Sequence, residues 1–210
     1  MHEEFPRSIM SSILPSIVMW TLVPLLISDH VRCKNINTYA GPFIAYVHSA
    51  TMCPSDRTIS HFVRFSHFNP VRPFDLQKMW GNVTFNLNFT DNFWSRIDWA
   101  LRANNQWKEN FYIMDFPKTG CSALRDHIPD LFRTLAKLSG APTDKRTACV
   151  IPAGFYEFIN EPVSWLLPPL TVLPYGRYRV RMKSRTDSDS RATSRLCLEV
   201  DCEFVPKPHS

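Results

Sequence analysis

Hydrophobic and polar side chains alternate most regularly between Asn82 and Thr90. The odd positions of this segment carry valine, phenylalanine, leucine and phenylalanine, and the even positions carry asparagine and threonine. Successive side chains of a strand point to opposite faces, so this two-residue period predicts a half-buried strand with one aromatic face and one polar face.

A second alternation places the apolar residues Ile97, Trp99 and Leu101 against the charged residues Arg96, Asp98 and Arg102. Residues 103–106 (Ala-Asn-Asn-Gln) then offer a turn, and the segment Trp107–Phe116 has strand character again. This order predicts an antiparallel hairpin.

Further strands and one helix complete the pattern. Five more segments are rich in aromatic and β-branched residues and predict strands: Pro42–Val47, Ile59–Phe68, Phe155–Ile159, Tyr178–Met182 and Leu196–Phe204. A single amphipathic helix has Pro129 in its first turn and ends at Gly140. Its apolar residues recur at helical spacing: Leu124, Ile128, Leu131, Phe132, Leu135 and Leu138. We therefore expect a mainly β protein, a two-sheet sandwich of about seven or eight antiparallel strands with one short helix.

The N-terminal segment has a different composition. Residues 9–27 are mostly apolar and uncharged, Arg7 precedes them, and Ser28 is a small residue that suits a cleavage site. These features predict a signal peptide over residues 1–28 and a single extracellular, secreted domain over residues 29–210. An uncleaved membrane anchor is the alternative, which two prolines and several serines disfavour.

Cysteines and glycosylation sequons agree with export. An even number of cysteines in a secreted chain predicts disulfide bonds; they are Cys33, Cys53, Cys121, Cys149, Cys197 and Cys202. No C-x-x-C pair is present, so no metal site is expected. The sequons Asn82-Val83-Thr84 and Asn88-Phe89-Thr90 predict N-glycosylation of Asn82 and Asn88, both on the polar face of the predicted strand.

The chain is basic, with a net charge of +5 and a pI near 9.0. Nucleic acid is not an expected partner, because the chain has no clustered basic helix and is predicted to be secreted. Several basic residues alternate along one predicted strand: Arg177, Arg179 and Arg181, with Lys183 and Arg185 beyond them. They indicate a solvated strand face or, alternatively, a patch for anionic lipids or sulfated glycans.

Motifs for catalysis are missing. The sequence has no G-x-S-x-G, no H-E-x-x-H and no glycine-rich phosphate loop, and it holds only 6 glycines. Asp98 and Glu109 could face each other across the hairpin as an acid and a base, but charge pairing with Arg96 or Lys108 is the simpler interpretation. We expect neither an enzyme nor a cofactor.

The abundance of aromatic residues, 15 Phe, 6 Trp and 6 Tyr, leaves two possibilities. Such side chains usually fill a core, but in a two-sheet protein they can also line a cavity for an apolar ligand. Two adjacent prolines place the apolar run Trp165–Leu170 in a loop or at a sheet edge. There it could touch a membrane, gate the cavity or pack over the mouth of the cavity. The candidate ligand-binding residues are Phe85, Leu87, Phe89, Trp99, Leu101, Phe111, Ile113, Trp165 and Leu167.

The second half of the chain resembles a known family. Cys121 is followed by the amphipathic helix, then by Cys149 to Tyr156 (CVIPAGFY), Leu167-Pro168-Pro169 and Leu173 to Arg179 (LPYGRYR). This order resembles the insect secreted chemosensory proteins A and B, which are similar to the lysosomal ganglioside-activator protein and the ML lipid-recognition domains.

The resemblance implies a β-cup with an apolar cavity, an extracellular location and binding of lipid-like molecules in pheromone or gustatory detection. It also implies the disulfide pairs Cys33–Cys202, Cys121–Cys149 and Cys53–Cys197. Our first hypothesis is thus a binding protein for a lipid or hydrocarbon. The second is an accessory subunit of a membrane receptor or channel, which contacts its partner or the membrane surface through the Trp165–Leu170 loop and the basic strand.

Overall fold

The computed structural model describes residues 41–165, 173–186 and 193–208, which belong to one compact unit, Thr38–Ser210. The predicted signal peptide, Cys33 and Leu167 lie outside the described residues. The helices of the described part are α1 (Gly120–His127) and α2 (Pro129–Ser139), and neither is long and apolar enough to cross a membrane. Its strands are β1 (Phe43–Met52), β2 (Ile59–Phe65), β3 (Gln77–Phe85), β4 (Phe89–Thr90), β5 (Trp94–Ala103), β6 (Gln106–Phe116), β7 (Val150–Ile151), β8 (Gly154–Val163), β9 (Gly176–Arg185) and β10 (Leu196–Pro206).

This architecture is mainly β and broadly a β-sandwich, as the sequence predicts. The number of strands in the described residues is ten, so the predicted seven or eight is wrong. The difference is the pair β4 and β7, which contain two residues each and pair with each other. Segments of this length are too short to show an alternating pattern.

The larger sheet contains β1, β10, β9, β5 and β6 in that spatial order, with every neighbouring pair antiparallel. Its register places Ile97, Met182 and Leu198 side by side on the inner face. The predicted hairpin is confirmed: β5 and β6 are joined by Asn104 and Asn105, which have positive φ angles of 51° and 60°. Asparagine tolerates this left-handed conformation, which a tight hairpin turn requires.

A smaller sheet has the order β2, β3 and β8. The predicted continuous strand Asn82–Thr90 is wrong, because β3 ends at Phe85 and only Phe89–Thr90 resumes an extended conformation as β4. The chain bends between them, where the Asn86 amide donates to the Thr58 carbonyl at 2.9 Å. This bend lets the chain change partners from β8 to β7 while both phenylalanines stay buried in one core.

The predicted single helix is two helices. Ile128 separates α1 from α2 with φ −133° and ψ 62°, a non-helical conformation. The ring of a proline disfavours the helical conformation of the residue before it, so Pro129 ends α1 and begins α2. Gly140 ends α2 in the left-handed conformation, with φ 73°, as expected for a terminal glycine.

Two disulfide bonds are present, Cys53–Cys197 and Cys121–Cys149, and both match the pairs that the resemblance implies. The first joins the end of β1 to β10, and the second joins α1 to the segment before β7. Cys202 is buried and has no disulfide partner among the described residues. Its pairing with Cys33 stays a prediction, since Cys33 lies outside the described residues.

The interior of the unit has two apolar clusters. One joins the small sheet to the helices through residues such as Phe85 and Phe132, and the other lies under the large sheet around Trp99 and Tyr178. Trp165 packs against both clusters.

Candidate functional site

An apolar cavity of about 170 Å³ lies against the inner face of the large sheet. All five strands of that sheet contribute to its wall. The other side is formed by Phe85 and Phe89 and by residues of α1, including Leu124. The wall residues from the large sheet include Ala45, Val47, Ile97, Trp99, Met114, Phe116, Val180, Met182, Val200 and Phe204.

Several of these inward-facing side chains remain accessible. Ile97, Val180, Met182 and Val200 lie on the inner face of the large sheet, yet each is only half-buried. In a close-packed core such side chains are covered by their neighbours. Their partial exposure therefore reflects unfilled space next to the sheet.

The cavity wall offers a ligand very few polar contacts. None of the lining residues has a carboxylate, ammonium or guanidinium group. The hydroxyl of Ser95 is hydrogen-bonded to the hydroxyl of Ser184 at 2.7 Å. As a thiol, Cys202 stays neutral near neutral pH because burial raises its pKa to about 12, and in the predicted disulfide bond with Cys33 it carries no charge either. The Nδ1 atom of His127 is buried and has no hydrogen-bond partner among the described residues.

One buried glutamine organises the end of the cavity at Trp165. The Oε1 atom of Gln77 accepts hydrogen bonds from the Val47 amide at 2.7 Å and from Trp165 Nε1 at 2.9 Å. Its Nε2 atom donates to the carbonyls of Val47 at 2.9 Å and of Ser66 at 2.7 Å. Gln77 is thus fully hydrogen-bonded although only 5% exposed, and it holds the indole of Trp165 against β1 and β3.

The structure brings together some of the predicted ligand-binding residues. Phe85, Phe89, Trp99 and Trp165 line the cavity. Leu87 and Leu101 instead pack against the first and the second apolar cluster. Leu167 lies outside the described residues.

Two predicted ligand-binding residues of β6 lie away from the cavity. Ile113 is opposite Asp98 on the outer face of the large sheet, and Phe111 is 39% exposed. The residues of β6 that face the cavity are Met114 and Phe116. The pairing of β5 with β6 is interrupted between Trp99 and Leu101, where β6 has two more residues than β5. A shift of two residues keeps the even-numbered residues of β6 opposite the inward-facing residues of β5, so the predicted inward orientation of Ile113 is wrong.

The outer face of the large sheet is charged, and three arginines of β9 on this face are paired with carboxylates. Arg177 makes two hydrogen bonds to Asp201, at 2.6 and 2.7 Å. Arg181 makes two to Glu199, at 2.7 and 3.0 Å. This arrangement agrees with the solvated strand face rather than with a patch for anions.

The two carboxylates considered as an acid and a base belong to the same network of charges. Asp98 accepts a hydrogen bond from Arg96 at 2.8 Å, as the simpler interpretation predicts. Glu109 pairs with Arg179 instead of Lys108. Both carboxylates lie on the outer surface and not at the cavity.

The two sequon asparagines are in different surroundings. Asn82 is in the middle of β3, opposite Phe62 and Glu157. Asn88 is exposed in the bend before β4, and its Oδ1 atom accepts a hydrogen bond from the Ala153 amide at 2.8 Å. Glycosylation of either residue stays a prediction.

Comparisons with known proteins identify no family. No protein-family model matches the chain, and no curated protein is significantly similar to it. Within the described ranges, no group of three or more His, Cys, Asp or Glu side chains could hold a metal ion. The apolar cavity is therefore the feature on which a functional argument can be built.

Proposed function

We propose that this protein is a secreted binding protein of the β-cup type whose cavity takes up the hydrocarbon part of a lipid-like molecule. The observation that carries the proposal is the cavity of about 170 Å³ with an apolar wall that lacks charged side chains. Sites for small apolar ligands have this composition, with few polar groups among many aliphatic and aromatic ones.

The size of the cavity limits what it encloses. A cavity of about 150 Å³ lined by aliphatic and aromatic side chains is known to hold benzene. The present cavity therefore suits one ring or a short stretch of hydrocarbon chain. A longer ligand would extend past the wall or require side chains to move.

The second hypothesis, an accessory subunit of a membrane receptor or channel, has less support. It relies on Trp165 and on the basic strand as contact surfaces. The indole nitrogen of Trp165 is hydrogen-bonded to Gln77, and Arg177 and Arg181 are paired with carboxylates. These groups would have to leave their present partners before they could bind a new one.

The experiment that tests the proposal is native mass spectrometry of the full chain secreted from eukaryotic cells, followed by organic extraction. We expect one apolar molecule per chain, or uptake of one added long-chain alcohol or hydrocarbon. An Ile113→Ser variant should retain the ligand, because Ile113 faces away from the cavity. A bare polypeptide mass after incubation with fatty acids, alcohols and hydrocarbons would contradict the proposal.

The proposed biological context is detection of pheromones or tastants, and it derives from the resemblance to insect chemosensory proteins. Immunostaining for the secreted chain in sensory organs checks this part separately. Absence of the protein from gustatory and olfactory organs would remove the sensory context and leave the binding function open.

A further inference from the structure

The outer face of the small sheet exposes large hydrophobic side chains. Phe62 is 59% exposed, Trp80 is 40% exposed, Phe155 is 62% exposed and Ile159 is 70% exposed. The guanidinium of Arg64 lies 5.0 Å from the centre of the Phe62 ring. An apolar group of this kind on a protein surface usually marks a place that something else covers.

Asn82 lies in the middle of this aromatic face. The strand register places Phe62 of β2 directly beside it. Trp80 and Thr84 precede and follow Asn82 by two residues, so all three side chains project from the same face of β3. Phe155 of β8 is opposite Thr84 and is therefore diagonal to Asn82.

We propose that an N-linked glycan on Asn82 folds back over this aromatic face, with its first sugar packed against Phe62 and Trp80. The apolar C–H face of a pyranose ring then covers aromatic surface that is otherwise in water, and the polar hydroxyls of the glycan face the solvent. The glycan is the occupant of this face because its attachment point is the central residue of the face itself.

Attachment follows the ordinary chemistry of a sequon. The Nδ2 atom of Asn82 forms a bond to the anomeric carbon of an oligosaccharide carried by a lipid pyrophosphate. The bond from that carbon to the pyrophosphate oxygen breaks, and the amide nitrogen loses one proton. In the described part of the chain the side chain of Asn82 has no hydrogen bond that would hold it against the sheet.

The second sequon provides a contrast within the same chain. Asn88 is preceded two residues earlier by Asn86, so no aromatic side chain occupies the place that Trp80 has beside Asn82. Asn88 also lies in a bend and not within a sheet face. We therefore expect a glycan on Asn88 to extend into solvent without changing the stability of the fold.

The test uses the full chain secreted from eukaryotic cells, with Asn82→Gln as the variant and Asn88→Asp as the control. Aspartate removes the second sequon but keeps the Oδ1 atom that accepts the hydrogen bond from the Ala153 amide. Peptide mass spectrometry should find Asn82 glycosylated. Loss of the Asn82 glycan should lower Tm by about 2–4 °C and increase binding of a hydrophobic fluorescent dye, whereas Asn88→Asp should leave both unchanged. Trimming the glycans of the folded wild-type protein to the first sugar should preserve the wild-type Tm.

A second set of variants tests whether the aromatic residues cause the effect. In a Phe62→Ser, Trp80→Ser background, Asn82→Gln should no longer lower Tm, because the sugar has lost its contact surface. The proposal is overturned if secreted Asn82 is unmodified, if Asn82→Gln and Asn88→Asp shift Tm equally, or if the shift persists without Phe62 and Trp80. The glycan proposal rests on the secretion that is proposed above, but none of these results bears on the occupant of the cavity, so failure of the glycan proposal is distinguishable from failure of the binding proposal.

Discussion

A larger side chain in the middle of the large sheet tests whether the interior is hollow or packed. Val180 lies on β9, the central strand of that sheet, and its side chain faces the cavity. A Val180→Phe substitution places a larger side chain into the proposed ligand volume. It keeps the position apolar and retains a residue type that strands favour.

Two opposing effects determine the change in stability. Phe carries about four more side-chain carbons than Val, and their burial is worth at most ~3 kcal/mol at ~0.8 kcal/mol per methylene. Where no space exists, extra atoms instead strain the core and cost about 1–3 kcal/mol. We expect the first effect to prevail in the cavity, so that Val180→Phe raises the free energy of unfolding of the unliganded protein by about 1 kcal/mol.

The assay is urea unfolding of the unliganded protein, combined with uptake of a fluorescent hydrocarbon probe. Val163→Phe is the matched control, because Val163 is 1% exposed and does not line the cavity. This control should lose about 1–3 kcal/mol and still take up the probe. Val180→Phe should bind the probe at least about tenfold more weakly. Equal destabilisation of both variants, with unchanged probe uptake by Val180→Phe, would refute a hollow interior.

Three further substitutions test how the fold is held. Cys149→Ser opens the Cys121–Cys149 loop, whose sequence separation is 28 residues, and should lower the free energy of unfolding by ~3–4 kcal/mol in chemical denaturation. Gly81→Ala would place a Cβ atom 1.9 Å from the Phe62 carbonyl oxygen at a residue whose φ is +120°. We expect the free energy of unfolding to fall by at least about 3 kcal/mol or secretion to fail, and wild-type stability would contradict the described strand pairing. Burial lowers the pKa of His61 in the folded state below the ordinary value of 6.5, so the unfolded chain binds the proton more readily and stability should fall as the pH drops below about 6.5. His61→Phe should remove this part of the pH dependence, which cannot exceed about 1.4 kcal/mol per pH unit for one proton. If the free energy of unfolding of the variant changes with pH between 7 and 5 as in the wild type, His61 is not the cause.

The alternation of apolar and polar residues was sufficient to predict strands that are long and that pair with the next strand in the chain. Strand β5 alternates apolar and charged residues and is followed by a two-residue asparagine turn, and both features read directly from residues 96–105. The charged face of β9 was predictable for the same reason. Its carboxylate partners on β10 required knowledge of the strand order, because Asp201 and Glu199 are distant from their arginines in the sequence.

The remaining features depend on contacts between distant segments. A bend at Asn86–Leu87 leaves the apolar alternation intact, so the sequence alone could not reveal that β3 stops at Phe85. Ile113 faces outward because the hairpin register places it opposite Asp98 and not opposite an inward-facing residue of β5. The residues around Gln77 in the sequence do not predict that it is buried. Its position in the interior follows from its hydrogen bonds with Val47 of β1 and with Trp165.

The cost of a hollow interior is similar in size to the stabilisation that one disulfide bond provides. An unfilled apolar volume of about 170 Å³ costs on the order of 4 kcal/mol at ~24 cal/mol per Å³ of cavity. The loop entropy that the Cys121–Cys149 bond removes from the unfolded chain is worth a similar ~3.6 kcal/mol. This bond links α1, which lines the cavity, to the segment before β7, which pairs with β4 on the same side. The disulfide thus offsets the cost of the empty space next to it, and a bound hydrocarbon that fills the space would add stability in proportion to its occupancy.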